Sequence, residues 1–424
     1  MIWIFLGTLF LFLLFGVPVA ISMLISAIAM MLVLGMFDTQ IVAENLINGA
    51  NSFALMAIPF FILTGEIMNV GGVSKRIVDF ASALVGHIRG GLGYVAIIAG
   101  VIFAGISGSA VADTAALGAI LIPMMVANRY NKILSTGLIG SVGIIGTVIP
   151  PSIPMILFGV ISGVSITKLF MSGIVPGFLM AASLMVVWYF VSKRSDVKTL
   201  PKTTAKEKWK AFVNAFWALL LPLLIIVGLR GGVFTPTEAG VVAAVYALII
   251  SFCYRELKLS DLPKIIVETA KTTGVVMFLA STAMVSAYVI TVAQVPAELG
   301  NLLGGLMENP TLLLLTIMLL LFLVGCVMDL TPAILIFTPV FLPLVQQAGI
   351  DPIYFGLLMV INLSIGLITP PVGTVLYVGC GISKISIIEM SKGILPFLLA
   401  ELLVLLLLVL FPEIVTVPLE WFGE

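Results

Sequence analysis

Apolar runs long enough to cross a membrane follow one another along this chain, with only short polar interruptions, and two of them are broken by a Pro-Pro pair. A bilayer core is about 30 Å thick and takes about 20 apolar residues per helix. At that depth every backbone N–H and C=O must find a partner. Irregular backbone is tolerated only where protein buries it or a watery cavity meets it. Of 424 residues, 61% are hydrophobic and 9% charged, which excludes a soluble globular protein and defines a polytopic helical membrane protein. Lys+Arg and Asp+Glu balance at 20 each, so net charge gives no case for nucleic-acid binding. Cys253, Cys326 and Cys380 are scattered in apolar sequence and His87 is the one histidine, so no disulfide or metal spacing is present.

The breaks are paired with polar turns, and the arrangement occurs twice. Gly105-Ile-Ser-Gly-Ser-Ala-Val-Ala-Asp113 precedes Ile149-Pro-Pro-Ser152, and Asp329-Leu-Thr-Pro332, after Gly325, precedes Thr369-Pro-Pro-Val372. Asp113 and Pro123 recur as Asp329 and Pro339 at an offset of 216, and the Pro-Pro pairs at 220. Helix breakers at corresponding places in two halves point to a transporter binding site built by internal repeats.

The flanking sequence fits two repeats, over 1–192 and 214–424, joined by a basic linker at 193–213. Residues 1–36 read as two short spans meeting at Phe15-Gly-Val-Pro18, because Phe234-Thr-Pro236 divides the second half in the same way. The first repeat then reads as scaffold spans over 1–70, an interfacial helix over 73–89, a hairpin over 92–127, a broken helix over 133–165 and a span over 173–192. The second reads as scaffold spans over 214–294, an interfacial helix over 297–307, a hairpin over 311–346, a broken helix over 353–383 and a span over 393–412. Asp38–Asn51 reads as a loop. Val73, Ile77, Phe80, Ala81, Leu84 and Ile88 share one face of the first interfacial helix. Leu299, Leu302, Leu303 and Leu306 form a weaker stripe in the second.

Each hairpin arm is about 15 residues, or roughly 22 Å, which favours a re-entrant turn over two full crossings. Lys193–Lys210 is the longest polar stretch, and the positive-inside rule places it in the cytoplasm. Counting outward puts Lys75–Arg89, Arg129–Lys132, Arg255–Lys271 and Lys384–Lys392 on that side. Asp38–Asn51, Pro296–Pro310, Gln346–Pro352 and Glu413–Glu424 lie outside. Lys168 and Arg230 are the outside exceptions. The hairpins then open from opposite sides, as inverted repeats.

The first tip offers Gly105, Ser107, Gly108 and Ser109, whose backbone groups leave regular helix. At the second, Thr331 followed by Pro332 reads as an N-cap and first helical residue. Pro150 and Pro151, and again Pro370 and Pro371, remove helix donors. They leave carbonyls free at Gly146, Thr147 and Val148 and at Gly366, Leu367 and Ile368. Ser152, Thr369, Gly373 and Thr374 complete the breaks. Free carbonyls with Ser and Thr hydroxyls suit a desolvated Na⁺, and half-helix N-termini suit an anion. Each tip facing its break makes one candidate cation site, so two or more are expected, with substrate between them. A single Pro-Pro pair would read as a kink, and its duplication with a polar tip favours function. Asp113 and Asp329 either cap their returning helices or coordinate the cation. Glu66, Glu238 and Glu401 have no repeat partner and read as structural or interfacial acids. No His, Cys or Ser/Lys constellation suggests an enzyme, and no organic cofactor is implied.

At these residues the chain resembles the large membrane subunit of the tripartite ATP-independent periplasmic (TRAP) transporters. Ala57-Ile-Pro-Phe-Phe61 with Gly65-Glu66, Ser107-Gly-Ser-Ala-Val-Ala-Asp-Thr-Ala115, Ile149-Pro-Pro-Ser-Ile-Pro154, Phe234-Thr-Pro-Thr-Glu-Ala239 and Leu367-Ile-Thr-Pro-Pro-Val-Gly373 carry the likeness. The resemblance implies an elevator, in which two re-entrant hairpins and two broken helices move against a scaffold. It further implies Na⁺-driven uptake of an organic acid, a sugar acid or C4-dicarboxylate, delivered by a periplasmic binding protein. A separate four-helix small membrane subunit and a place in the bacterial or archaeal inner membrane are implied as well. A stand-alone Na⁺/dicarboxylate symporter is the alternative. A channel or scaffold protein would not need hairpins entering from opposite sides.

Overall fold

The computed structural model describes residues 1–193, 197–302 and 304–422. Arg194, Asp196 and Leu303, the last two residues of the tail and the side chain of Leu302 lie outside what is described. The first half consists of α1 (Ile2–Leu14), α2 (Val19–Val33), α3 (Thr39–Ala50), α4 (Ala57–Val70), α5 (Val73–Val85), α6 (Gly91–Ser107), α7 (Ala110–Ala127), α8 (Lys132–Gly143), α9 (Ile153–Ser162) and α10 (Ile166–Lys193). The second consists of α11 (Ala205–Arg230), α12 (Pro236–Cys253), α13 (Leu262–Val292), α14 (Val295–Leu302), α15 (Gly304–Met307), α16 (Pro310–Gly325), α17 (Leu330–Gln347), α18 (Pro352–Gly366), α19 (Thr374–Ser383), α20 (Ile387–Leu410) and α21 (Glu413–Phe422). The described residues contain no strand, and eight helical segments among them are long and apolar enough to cross a membrane. The chain is an all-α, multi-pass membrane protein.

Local chemistry sets where these helices begin. Ser109, Asn131, Ser152, Thr204, Thr235, Asn309, Asp351 and Ser386 stand at N-caps and accept from first-turn N–H groups. Each such cap is worth about 1 kcal/mol. Glu238 closes a capping box, its carboxylate accepting from the Thr235 N–H at 2.8 Å.

Two sets of helices pack in different ways. In one, α2 and α3 lie on α13, α4 lies on α12 and α13, and α1 lies on α2. In the other, α6 and α7 enclose α8, while α16 and α17 enclose α18. The second arm of each broken helix then crosses to the other hairpin, with α9 against α17 and α19 against α7. The long helices α10 and α20 pack on each other and on α18. The α4–α6 and α13–α17 contacts join the two sets.

Several expectations are corrected. Asp38–Asn51 is not a loop, since Thr39–Ala50 is helical, the Asp38 carboxylate accepts from the Gln40 N–H at 2.7 Å, and Gly49 lies buried against Ser281. The face of α5 is rotated from the expected one. It buries Val73, Ser74, Ile77, Val78 and Ala81 between α6 and α11, while Leu84 and Ile88 are exposed. Ala205–Lys210 belongs to α11, because the Thr204–Glu207 capping box starts a helix inside the expected linker. The last span of the first half begins at Ile166, seven residues early, where the Lys168 N–H meets the Ser165 hydroxyl and the Leu169 N–H its carbonyl. The expected division of residues 1–36 is unchanged: two helices are parted by Phe15–Pro18.

Candidate functional site

The first hairpin turns in two residues. Gly108 takes φ +64°, and Ser109 follows in extended conformation as the cap of α7. A side chain at Gly108 would meet both that left-handed strain and the Pro151 carbonyl oxygen, 2.6 Å from an added Cβ. Tip 1 therefore sits directly on its break. Gly105, expected in the tip, is instead inside α6, where it packs against Pro222.

Asp113 lies one turn into α7 and is 1% exposed. The Ser107 hydroxyl donates to its Oδ1, while Oδ2 has no hydrogen-bond partner among the described residues and lies against Gly146. Beside it the buried Thr114 hydroxyl is also unbonded. Gly146 belongs to a single 3₁₀ turn, Ile144–Thr147, that ends the first arm of the broken helix. The Thr147 hydroxyl lies 2.6 Å from that of Ser364 in α18, so the two breaks touch.

The second tip meets its break through backbone. The Val372 N–H donates to the Cys326 carbonyl at 3.2 Å, and Gly325 and Gly366 pack main chain to main chain. A Cβ on Gly366 would stand 2.7 Å from the Gly325 backbone, so only glycine allows this approach. The Thr374 hydroxyl donates to Asp329 Oδ1 at 3.2 Å. Asp329 occupies the N-cap of α17, which corrects the expected cap at Thr331 and places Thr331 and Pro332 in the first turn. Without a Gly-Ser pair to turn the chain tightly, Cys326–Met328 make a longer passage and α17 starts directly after the acid.

Fewer carbonyls are free than the Pro-Pro pairs suggest. Both Pro150–Pro151 and Pro370–Pro371 are cis. Thr147 O accepts from the Ser152 hydroxyl, Gly366 O from the Thr369 N–H at 3.0 Å and Leu367 O from the Val375 N–H at 3.2 Å. The Thr369 hydroxyl is spent on Ile365 O at 2.7 Å. Gly146, Val148 and Ile368 keep carbonyls without an internal bond among the described residues, and Val148 O is turned to Gly173 of α10.

Between the tips and the other set of helices is a cavity of about 650 Å³. Its walls bring together Ser107, Gly108, Ser109 and Asp113 of tip 1, Thr147 of break 1, and Asp329 and Thr331 of tip 2. Gly105, Gly146, Val148, Pro150, Pro151, Ser152, Gly325, Pro332, Gly366, Thr369, Pro370, Pro371, Gly373 and Thr374 lie outside its lining. The opposite wall was not anticipated. It comes from Gly65, Glu66 and Asn69 on α4 and from Lys271, Thr272 and Val275 on α13. Glu66 is thus a cavity residue, acted on electrostatically by Glu268 and Lys264, and not an interfacial acid. Glu401 is fully buried in α20, and neither carboxylate oxygen has a hydrogen-bond partner among the described residues.

Comparison with known proteins gives the family. The family model of the tripartite ATP-independent periplasmic transporter, DctM component, matches residues 6–414. A putative TRAP transporter large permease protein of Haemophilus influenzae is 61% identical over 401 residues, covering 95% of this chain and all of that one. The 2,3-diketo-L-gulonate TRAP transporter large permease protein YiaN of Escherichia coli is 51% identical, covering 99% of both. In fold the chain is similar to the YdaH transporter of Alcanivorax borkumensis, with a TM-score of 0.63 and 18% identity over 89% of this chain and 88% of that one. With two hairpin tips set against two broken helices and a match of this extent, the chain belongs to the TRAP transporter DctM family, as its large membrane permease subunit.

Proposed function

We propose that this subunit carries an organic acid into the cell by Na⁺ symport, accepting it from a periplasmic binding protein and working with a small membrane subunit. The acid is a sugar acid of the 2,3-diketo-L-gulonate kind, a substrate class suggested by the name of the 51%-identical relative from Escherichia coli. The observation that carries the Na⁺ reading is Asp113 Oδ2. A buried carboxylate oxygen without a partner is costly in a membrane interior unless a cation or proton joins it. The Gly146 carbonyl and the Thr114 hydroxyl are oxygen donors on its own or neighbouring elements, as a hard monovalent cation requires. Asp329 with Thr374 is the second candidate site.

The cavity lining supports an order of binding. Glu66, Asp113 and Asp329 outnumber the one cationic lining residue, Lys271, so an anion is repelled until cations have entered. Two Na⁺ with a monoanion move one net charge inward. A membrane potential of 100 mV supplies about 2.3 kcal/mol for that charge. A tenfold Na⁺ gradient adds about 1.4 kcal/mol per ion. Together these give roughly 5 kcal/mol, enough to concentrate the acid about 5,000-fold.

The movement we infer is an elevator. The hairpins with α8, α9, α18 and α19 travel, and α2, α4, α12 and α13 stay. Support comes from the division of the cavity wall between these two sets. The cavity reaches Asn69 at the end of α4 and Lys271 in the third turn of α13, toward the ends that carry Lys75, Arg76 and Lys264. By the positive-inside rule that mouth is cytoplasmic, so the conformation described is the one open inward, in a bacterial inner membrane.

The test is uptake of labelled 2,3-diketo-L-gulonate into proteoliposomes holding this chain with the small subunit, varying the Na⁺ gradient and the binding protein independently. Uptake that needs both is expected. Uptake with Na⁺ but indifferent to the binding protein would make the chain a stand-alone symporter, and indifference to Na⁺ would refute the coupling.

A further inference from the structure

Every polar residue so far assigned to substrate or cation belongs to the travelling set, yet the one basic side chain lining the cavity does not. Lys271 projects from α13, which packs on α2, α3 and α4. Its Nζ donates to Glu268 Oε1 at 2.9 Å, one turn back on the same helix. Both side chains are well exposed, at 66% and 48%, so this pair is weak and readily exchanged for another carboxylate.

An acid held by moving tips can meet a cation on a stationary helix in only one of the two end states. We propose that Lys271 is the release-side counter-charge for the substrate: in the inward-open state it leaves Glu268 and takes the acid's carboxylate on its way to the cytoplasm. The inference rests on the transport reading above and adds a sidedness that the tips alone do not provide. Three features make Lys271 the group for this step. It stands at the mouth of the cavity, beside Thr272, which can donate a second hydrogen bond to the same carboxylate. Glu66 lines the same cavity from α4, and its negative charge opposes a long stay of the anion beside Lys271. Glu268 is positioned to reclaim the ammonium once the substrate has gone.

The experiment is exchange of labelled 2,3-diketo-L-gulonate across proteoliposomes containing the chain and its small subunit, with Na⁺ on both sides and the binding protein outside, and with half-saturating concentrations measured separately for internal and external acid. Lys271→Gln is expected to raise the internal value about fivefold and leave the external one unmoved, since an exposed charge pair contributes modestly. Lys271→Arg should restore it. Glu268→Gln, which removes the competitor, should lower the internal value. Equal shifts on both sides, or no shift with normal protein in the membrane, would overturn the role of Lys271 alone. Absence of exchange by the unaltered protein would overturn the transport reading beneath it.

Discussion

Hairpin α6–α7 turns on a left-handed glycine, caps its second helix with Ser109 and draws its acid into the protein. Hairpin α16–α17 turns without a positive φ and leaves its acid facing the cavity. The two acids stand the same distance from their prolines, Pro123 and Pro339, yet one lies inside the first turn of its helix and the other before it. The cause is the turn. Gly108 and Ser109 allow α7 to begin three residues ahead of Asp113, whereas nothing before Asp329 can start a helix sooner. A shift of one helical turn changes what the acid does. Asp113 is dry, tied to Ser107 and short of one partner. Asp329 is wet, tied to Thr374 across the break and able to meet whatever enters. A repeated sequence motif therefore need not mean two equivalent sites. In this protein it makes one acid buried and the other accessible.

The largest contrast between the tips should follow from the turn itself. Gly108→Val adds about 1–2 kcal/mol of left-handed strain and a collision with Pro151 O, so uptake should vanish. Val327→Ala at the exposed second tip should leave it within about twofold, and comparable uptake by the two variants would break the comparison. Next come the acids. Asp113→Asn should raise the Na⁺ concentration for half-maximal uptake more than about tenfold, because a buried charged oxygen lost from a cation site has no water to replace it. Asp329→Asn should raise it only about threefold, as water can reach that position. Thr374→Val should give the smallest change, below about twofold, since the bond it removes is long at 3.2 Å.

Much of this was legible because it is local. Gly-Ser before an acid and Pro-Pro in an apolar run act on their own backbone, so the tips and breaks can be read directly, whereas the Thr204–Glu207 and Thr235–Glu238 capping boxes show only once their helices are placed. The misreadings have physical causes too. Asp38–Asn51 reads as polar because α3 fully buries only Gly49 and leaves Ile41, Val42 and Leu46 half-buried among Gln40, Glu44, Asn45 and Asn48. Thr331 was outcompeted as a cap by Asp329 two residues earlier. Carbonyls freed by the Pro-Pro pairs were largely taken up by Ser152, Thr369 and Val375, and such repairs depend on three-dimensional closure. The far wall of the cavity was hidden for the same reason. Lys271 reads as the end of a basic loop until α13 is seen to start at Leu262, and Glu66 acquires its place only when α4 is set opposite the tips.

The central claim is that two unlike cation sites, one behind each tip, drive the uptake. Its most direct test is the Na⁺ dependence of initial uptake in proteoliposomes, for the unaltered chain and for Asp113→Asn. The account predicts a Hill coefficient clearly above one that falls toward one when Asp113 is changed. A coefficient of one in both, with half-maximal Na⁺ unmoved, would contradict it.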